Sequence, residues 1–238
     1  MAFISDIHGN FVALQAVLER LTEEKIYCLG DIVGYGPEPC RCVETVRAAS
    51  AGSIQGNHDA AIAGELDYSS FNSIARRATD WSRKRLDPEE LRYLQNLPAV
   101  IEKEEFCLFH GSPSRPLQQY VDSPADIRTA YSEADFPKLL GLGHTHKPYL
   151  YLVKEEQYIR PSSNLGQKIK LPPGGAVFNP GSVGQPRDGD PRASFVRYWP
   201  DKGQLAFYRV KYDIVKVCEK IKEEGLPPFL CERLRGGY

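Results

Sequence analysis

Ala2-Phe3-Ile4-Ser5-Asp6-Ile7-His8-Gly9-Asn10 opens the chain as a short apolar run that stops at polar residues. Residues 2–5 read as a buried strand, and Asn10 is a favoured helix cap. From Asn10 to about Glu24 a helix would carry Phe11, Leu14, Leu18 and Leu21 on one face. The same succession of strand, polar tip and helix recurs downstream. Residues 25–29 form a second strand ending at Gly30-Asp31, and residues 38–49 are helical after a Gly-Pro break. Residues 53–55 form a third strand ending at Gly56-Asn57-His58. This β-α-β-α-β order predicts an α/β fold with a parallel core sheet and helices on its faces.

Residues 60–98 are helix-rich, an insert placed to act as a lid. One helix is expected over 68–85. Asp87-Pro88-Glu89-Glu90 starts another, with Asp as the cap, Pro at the first position and Glu at the third. Strands follow at 99–101, 106–109 and 139–142, with a helix at 124–133 before the last. From residue 149 the pattern turns to consecutive strands at 149–153, 157–159, 176–178, 193–199 and 204–212. Between them, residues 161–175 hold three Pro and three Gly and read as a loop or hairpin arm. A helix at 213–224 precedes a short final segment. With no internal repeat or linker, residues 1–238 are expected to form a single domain.

The 238 residues carry a net charge of -1 and are 42% hydrophobic, enough for a sizeable core. That balance gives no electrostatic case for nucleic acid or an anionic membrane surface. The six cysteines include no Cys-x-x-Cys pair and no spacing that suggests a secreted disulfide framework. The apolar run before Asp6 is too short for a signal peptide, and none approaches the ~20 residues of a membrane span. The expected location is cytoplasmic.

All five histidines fall inside short motifs. They are His8 in Asp6-Ile7-His8, His58 in Gly56-Asn57-His58-Asp59, His110 in His110-Gly111-Ser112-Pro113, and His144 and His146 in Gly143-His144-Thr145-His146. Asp6, Asp31, Asn57, His110 and His144 each stand where an apolar strand has just ended. Strand tips gather residues distant in sequence at one edge of an α/β sheet. Neutral imidazole offers a lone pair at physiological pH. Asp31 is the natural bridging ligand, since a carboxylate has lone pairs for two cations. Mixed nitrogen and oxygen donors without thiolate suit Mn, Fe, Zn, Co or Ni better than Mg or Ca.

Taken in this order, the set Asp-x-His, Gly-Asp, Gly-Asn-His-Asp, His-Gly and Gly-His-Thr-His resembles the calcineurin-like metallophosphoesterase superfamily. Gly34-Tyr35-Gly36-Pro37, Asn179-Pro180-Gly181-Ser182-Val183-Gly184 and the Tyr212-Asp213 helix extend the likeness along nearly the whole chain. They are similar to the bacterial and archaeal phosphodiesterases grouped near diadenosine tetraphosphatases and protein phosphatases. The resemblance implies a four-layer αββα sandwich of two mixed β-sheets flanked by helices. It also implies two divalent transition-metal ions, manganese foremost. Asp6, His8, Asp31 and His146 would hold the first; Asp31, Asn57, His110 and His144 would hold the second.

By the same likeness, His58 would face a small phosphorylated substrate or nucleotide and protonate the leaving oxygen, with Asp59 or Asp31 orienting it. The implied activity is hydrolysis of phosphomonoester or phosphodiester bonds by a metal-bridging hydroxide. Serine/threonine protein phosphatase, dinucleoside polyphosphate hydrolase and a non-catalytic interaction module are the alternatives. The first two families carry an Arg in Gly-Asp-x-Val-Asp-Arg-Gly, whereas here the run is Gly30-Asp31-Ile32-Val33-Gly34-Tyr35-Gly36. Arg115, Arg187 and Arg192 are the candidate phosphate contacts, because Arg binds phosphate through paired hydrogen bonds. Tyr35 and Tyr120 are candidates to stack on a base. A metallo-β-lactamase pattern is excluded, since His144-Thr145-His146 runs into Lys147-Pro148 and not Asp-His.

Overall fold

The computed structural model describes residues 1–135, 137–161 and 165–238. Strand β1 (Ala2–Ile4) lies between β2 (Ile26–Cys28), parallel to it, and a distant antiparallel partner, β11 (Ala193–Trp199). With β3 (Ser50–Ser53), β12 (Gln204–Val210) and β9 (Ile169–Lys170) they make a mixed six-stranded sheet in the order β3-β2-β1-β11-β12-β9. The second mixed sheet also has six strands. It joins β4 (Val100–Glu102), β5 (Cys107–Phe109), β6 (Leu139–Leu142), β10 (Ala176–Asn179), β7 (Tyr149–Leu152) and β8 (Gln157–Ile159) in that order.

Alternation along the strands decides what packs where, because successive side chains point to opposite faces. Phe3, Tyr27, Val196, Tyr198, Leu205 and Phe207 of the first sheet meet Leu108, Leu139, Leu150 and Phe178 of the second in one buried cluster. Phe3 and Phe178 are in contact across the sheets, with ring centroids 4.9 Å apart. Ala2, Ile4 and Cys28 face the other way, onto helices α1 (Phe11–Leu18) and α2 (Pro39–Ala49). Helix α6 (Pro124–Glu133) covers the outside of the second sheet through Ile127, Ala130 and Tyr131. The layers run helix, sheet, sheet, helix, as the αββα expectation holds.

Several boundaries differ from the sequence expectation. Helix α1 stops at Leu18, short of Glu24, although Leu21 still reaches the core. Asn10 caps it: Oδ1 accepts from the Ala13 N–H at 3.1 Å while Nδ2 donates to the Gly184 carbonyl at 2.9 Å. The third strand lies at Ser50–Ser53, before the expected 53–55. An unexpected helix, α3 (Asn57–Ala63), begins inside the Gly56-Asn57-His58-Asp59 motif, which reads locally as a turn. Helix α4 (Ser73–Arg83) is shorter than expected, while α5 (Pro88–Gln95) starts with the anticipated reciprocal Asp87–Glu90 capping bonds.

Leu86 and Leu94 belong to the buried cluster that includes α1 and α2, which anchors the far end of the 60–98 insert in the core. Within residues 161–175, positions 162–164 lie outside the described residues; Ile169 and Lys170 pair with β12. After α7 (Ile214–Glu223) the final segment forms a helix, α8 (Phe229–Gly236). No helix among the described residues is long and apolar enough to cross a membrane.

Phe178→Ala is expected to lower the unfolding free energy by about 3–5 kcal/mol, since it empties the seam between the sheets. Val215→Ala on α7, where Val215 is 60% exposed, should change it by less than about 0.5 kcal/mol. Urea denaturation of chelator-treated protein checks both. Equal small losses would show that the sheet seam is not the principal core.

Candidate metal centre

The tips of β1, β2, β5 and β6 and the start of α3 converge, bringing every predicted metal ligand to one buried place. Asp6, His8, Asp31, Asn57, His110, His144 and His146 are each at most 6% exposed. Asp6, His8, Asp31 and His146 offer donor atoms within 4.8 Å of one another, and so do Asp31, His110 and His144. Asp31 belongs to both groups. Its Oδ2 lies 3.5 Å from His8 Nε2 and 3.3 Å from His110 Nε2. Asn57 joins the second group through Oδ1, 3.1 Å from His110 Nε2.

The backbone at these positions is strained in a consistent way. Asp6, His8, Asp31, His144 and His146 all have φ between 50° and 65°, in the left-handed region that ordinary side chains avoid. Such strain persists only where surrounding structure holds it, and it clusters at functional sites. Much of the bracing comes from residues 182–185. Ser182 Oγ and the Gly184 N–H donate to the Asp6 carbonyl at 2.7 and 2.9 Å, and the Val183 N–H donates to the Ser5 carbonyl at 2.9 Å. Gly56 must lack a side chain, because a Cβ there would overlap Asp31 Oδ1.

Main-chain carbonyls set the imidazole tautomers. His8 Nδ1 donates to the Val33 carbonyl at 3.2 Å, His110 Nδ1 to that of Leu29 at 2.7 Å, and His146 Nδ1 to that of Gln185 at 2.6 Å. In each ring, once neutral, Nε2 is then left as the lone-pair nitrogen that faces the centre. The Gln185 carbonyl escaped the sequence reading, since a backbone acceptor leaves no trace in residue type.

Whether this donor set fits a metal follows from its unmet needs. His8 Nε2 and His146 Nε2 stand 3.1 Å apart with no proton to share between them. Both oxygens of Asp6, Oδ2 of Asp31 and Nε2 of His144 are buried without a hydrogen-bond partner among the described residues. Converging lone pairs and carboxylate oxygens call for an electrophile. Divalent cations bound by nitrogen and oxygen fit it.

The electrostatics agree for three of the four ligand imidazoles, His110 being the exception. Burial keeps His8 and His146 well below the usual imidazole range, and takes His144 down to about 3 and His58 to about 4. These four are neutral at pH 7, the state that ligates. For His110 burial opposes the charge, but the Asp31 carboxylate outweighs it and raises the imidazole to about 9. Burial likewise opposes charge on Asp31, yet His110, His58 and His8 hold it well below the usual carboxylate range. Burial, with the Asp31 charge beside it, raises Asp6 to about 7.

His58 stands apart from the donor clusters. Its ring packs against His8, Tyr35 and Phe71 at centroid distances of 4.9, 4.7 and 4.9 Å, and its Nδ1 is buried without a partner among the described residues. Asp31 Oδ1 accepts its backbone N–H at 2.9 Å, so Asp31 positions the residue through the main chain. The expected role for Asp59 is corrected. Its two oxygens accept the Val33 and Gly56 N–H groups at 3.1 and 3.0 Å, tying loops together, while His58 Nδ1 has no hydrogen-bond partner among the described residues.

A cleft of about 430 Å³ opens beside the centre, lined by Tyr35, Asn57, His58, Phe71, Tyr120 and His144 among others. Tyr120 stacks on His144, with centroids 3.9 Å apart, and is 56% exposed, while Tyr35 is buried. Of the three predicted arginines, Arg187 lies nearest the chemistry. Its backbone N–H donates to the His146 carbonyl at 3.3 Å, and its charge acts on Asp6, His8, His58 and His146. Arg192 is instead bound by Asp190, with Nη2 to Oδ2 at 2.6 Å, and Arg115 is exposed. Sequence reasoning also missed Phe71, in the bend before α4, and Arg233 of α8, which reach this region from segments that carry no motif.

Residues 1–202 match the family described as the Calcineurin-like phosphoesterase superfamily domain. The fold superposes on a crystal structure of a metallophosphoesterase from Sphaerobacter thermophilus with a TM-score of 0.91 and 40% identity, covering 100% of this chain and 98% of that one. An uncharacterized protein of Methanocaldococcus jannaschii is 36% identical over 98% of this chain and 96% of its own length. A symmetrical bis(5'-nucleosyl)-tetraphosphatase of Haemophilus influenzae is 27% identical over 157 residues, which span 61% of this chain and 57% of that protein.

Metal titrations distinguish the roles of the donors. After manganese loading, Asp31→Asn should retain at least one ion fewer than the parent protein, because the only carboxylate common to both clusters has lost its charge. Asn57→Ala should weaken only the cluster around His110. Elemental analysis reads both, and equal metal content in Asp31→Asn and parent would require a different ligand map.

Proposed function

The chain belongs to the calcineurin-like phosphoesterase superfamily and is a phosphoester hydrolase; from that premise we propose a binuclear enzyme for small phosphomonoesters or phosphodiesters. Asp6, His8, Asp31 and His146 would hold one divalent transition metal, and Asp31, Asn57, His110 and His144 a second, manganese being our first choice. The observation that carries this reading is the pair of buried donor clusters joined by one carboxylate. When bound, such ions supply Lewis acidity to phosphoryl oxygens and make water a usable nucleophile near pH 7.

The protein's own groups do the rest. His58, held by its backbone bond to Asp31 and wedged between Tyr35 and Phe71, hands a proton to the leaving oxygen. Burial keeps that imidazole neutral in the free protein, so it takes up its proton as the substrate's negative charge arrives beside it. Arg187 sets positive charge beside the centre, and the 60–98 insert walls the cleft through Phe71. The exposed face of Tyr120 offers a stacking surface for an aromatic leaving group or base. Six free cysteines fit a reducing, cytoplasmic setting.

A second reading, hydrolysis of dinucleoside polyphosphates, is favoured by the tetraphosphatase likeness over 61% of the chain. Against it stands Tyr35, in the stretch where those enzymes carry their arginine. A panel of a phosphomonoester, a phosphodiester, a dinucleoside polyphosphate and a phosphopeptide on manganese-reconstituted protein separates the readings.

Chelation should abolish turnover and manganese should restore it; full activity in metal-free protein would sink the proposal. His58→Ala should lose roughly 10²–10⁴ in turnover on alkyl phosphates, and less on 4-nitrophenyl phosphate, whose leaving group needs little protonation. Metal content should match the parent. Loss of metal in that variant would make His58 a ligand.

A further inference from the structure

Helices α7 and α8 lie beyond residues 1–202, the part that matches the family. They are nevertheless built onto the centre. Val217, Ile221, Leu226, Leu230 and Leu234 pack with Tyr35 and with Ala75 and Ala78 of α4 in one buried cluster. Tyr35 in turn stands 4.8 Å from the His8 ring and 4.7 Å from that of His58. The C-terminal helices therefore fix the aromatic wall on which the metal centre ends.

Docked in this way, α8 delivers Arg233 to the same wall as Arg187. Their guanidinium carbons lie 5.9 and 6.0 Å from the Tyr35 ring centroid. Both side chains are half-buried. Arg233 Nε donates to the main-chain oxygen of Tyr238 at 2.7 Å, and Arg187 Nη2 to Gln185 Oε1 at 3.0 Å. Arg187 Nε is buried without a partner among the described residues.

Neither guanidinium is paired with an Asp or Glu among those residues. The half-buried Arg197 and Arg209, by contrast, are neutralised by Glu24 and by Asp188 and Asp190. Burial and then the charge of Arg187 lower the proton affinity of Arg233, while Tyr35 opposes the change. A helix C-terminus favours cations, but Arg235 meets that preference in the open. Two half-buried guanidinium groups on one aromatic wall, without a carboxylate partner among the described residues, suit a bound anion.

We propose that Arg187 and Arg233 bind a second phosphoryl group of the substrate, next to the one placed over the Asp6–Asp31–His146 centre. The favoured substrate class is then a diphosphate-bearing compound, not a simple monoester. Two planar forks match the terminal oxygens of a phosphoryl group, which carry more charge than a sugar or alcohol placed there. The proposal rests on the phosphoesterase reading and narrows its substrate.

Methylphosphonate and methylenediphosphonate, which resist hydrolysis, offer one and two phosphoryl groups. Manganese-loaded full-length protein is titrated with each by calorimetry at constant free manganese. The parent should prefer the diphosphonate by at least about tenfold. Arg233→Met should cut that preference roughly 10- to 100-fold, the scale of lost charge-assisted hydrogen bonds.

Arg187→Met provides a second test with the same expected loss, should Arg233→Met not fold. Equal affinity of the parent for both probes, or an unchanged preference in the variants, overturns the proposal. Turnover of 4-nitrophenyl phosphate by the parent is measured alongside. Its absence defeats the phosphoesterase reading, whereas turnover without diphosphonate preference defeats the second subsite alone.

Discussion

A single buried carboxylate, that of Asp31, is the constraint around which the structure is arranged. One oxygen accepts the backbone N–H of His58, and the other faces His8 and His110. Asp31 stands at the tip of β2, whose neighbours β1 and β3 lead into the Asp6-Ile7-His8 and Gly56-Asn57-His58 turns. The close approach of Gly56 to that carboxylate leaves no room for a side chain. Moving Asp31 would thus disturb together both donor clusters and the backbone that holds His58.

A centre of this kind is unfavourable for folding taken alone, because it buries charges and lone pairs and holds five residues at left-handed φ. Two features offset that. Backbone carbonyls of Val33, Leu29 and Gln185 satisfy the outward nitrogens of three histidines and fix their orientation. Residues 182–185 bolt the main chain at Ser5 and Asp6 in place. The apolar seam between the sheets, with Phe3 and Phe178 in contact, supplies the stability from which such a site can be held.

Around this core, the residues that line the approach come from connecting segments and from α8. Phe71 approaches from the 60–98 insert, Tyr120 from the segment after β5, and Arg233 from α8. The strand tips fix the reactive centre, whereas these elements shape what may enter it. Tyr35 links the two layers, touching His8 and His58 on one side and the α4, α7 and α8 cluster on the other.

The sequence by itself determined what local chemistry can specify. Apolar runs ending in polar tips located β1, β2, β5 and β6 and the donors after them, and Asn10 and Asp87 marked helix starts that their side chains do cap. Residue type alone indicated nitrogen and oxygen donors without thiolate. Only the tertiary structure decided the rest. The pairing of β1 with β11, nearly the whole chain away, depends on how the two inner faces pack. The two-residue strand β9 exists because β12 offers it a partner, and α3 because Asp59 ties Gly56 and Val33 at its start. Which imidazole nitrogen faces the centre depends on carbonyls from other segments, and Arg233 meets Arg187 only because α8 docks beside Tyr35. Each of these rests on contacts between segments remote in sequence, whose free energy is absent from any local window of residues.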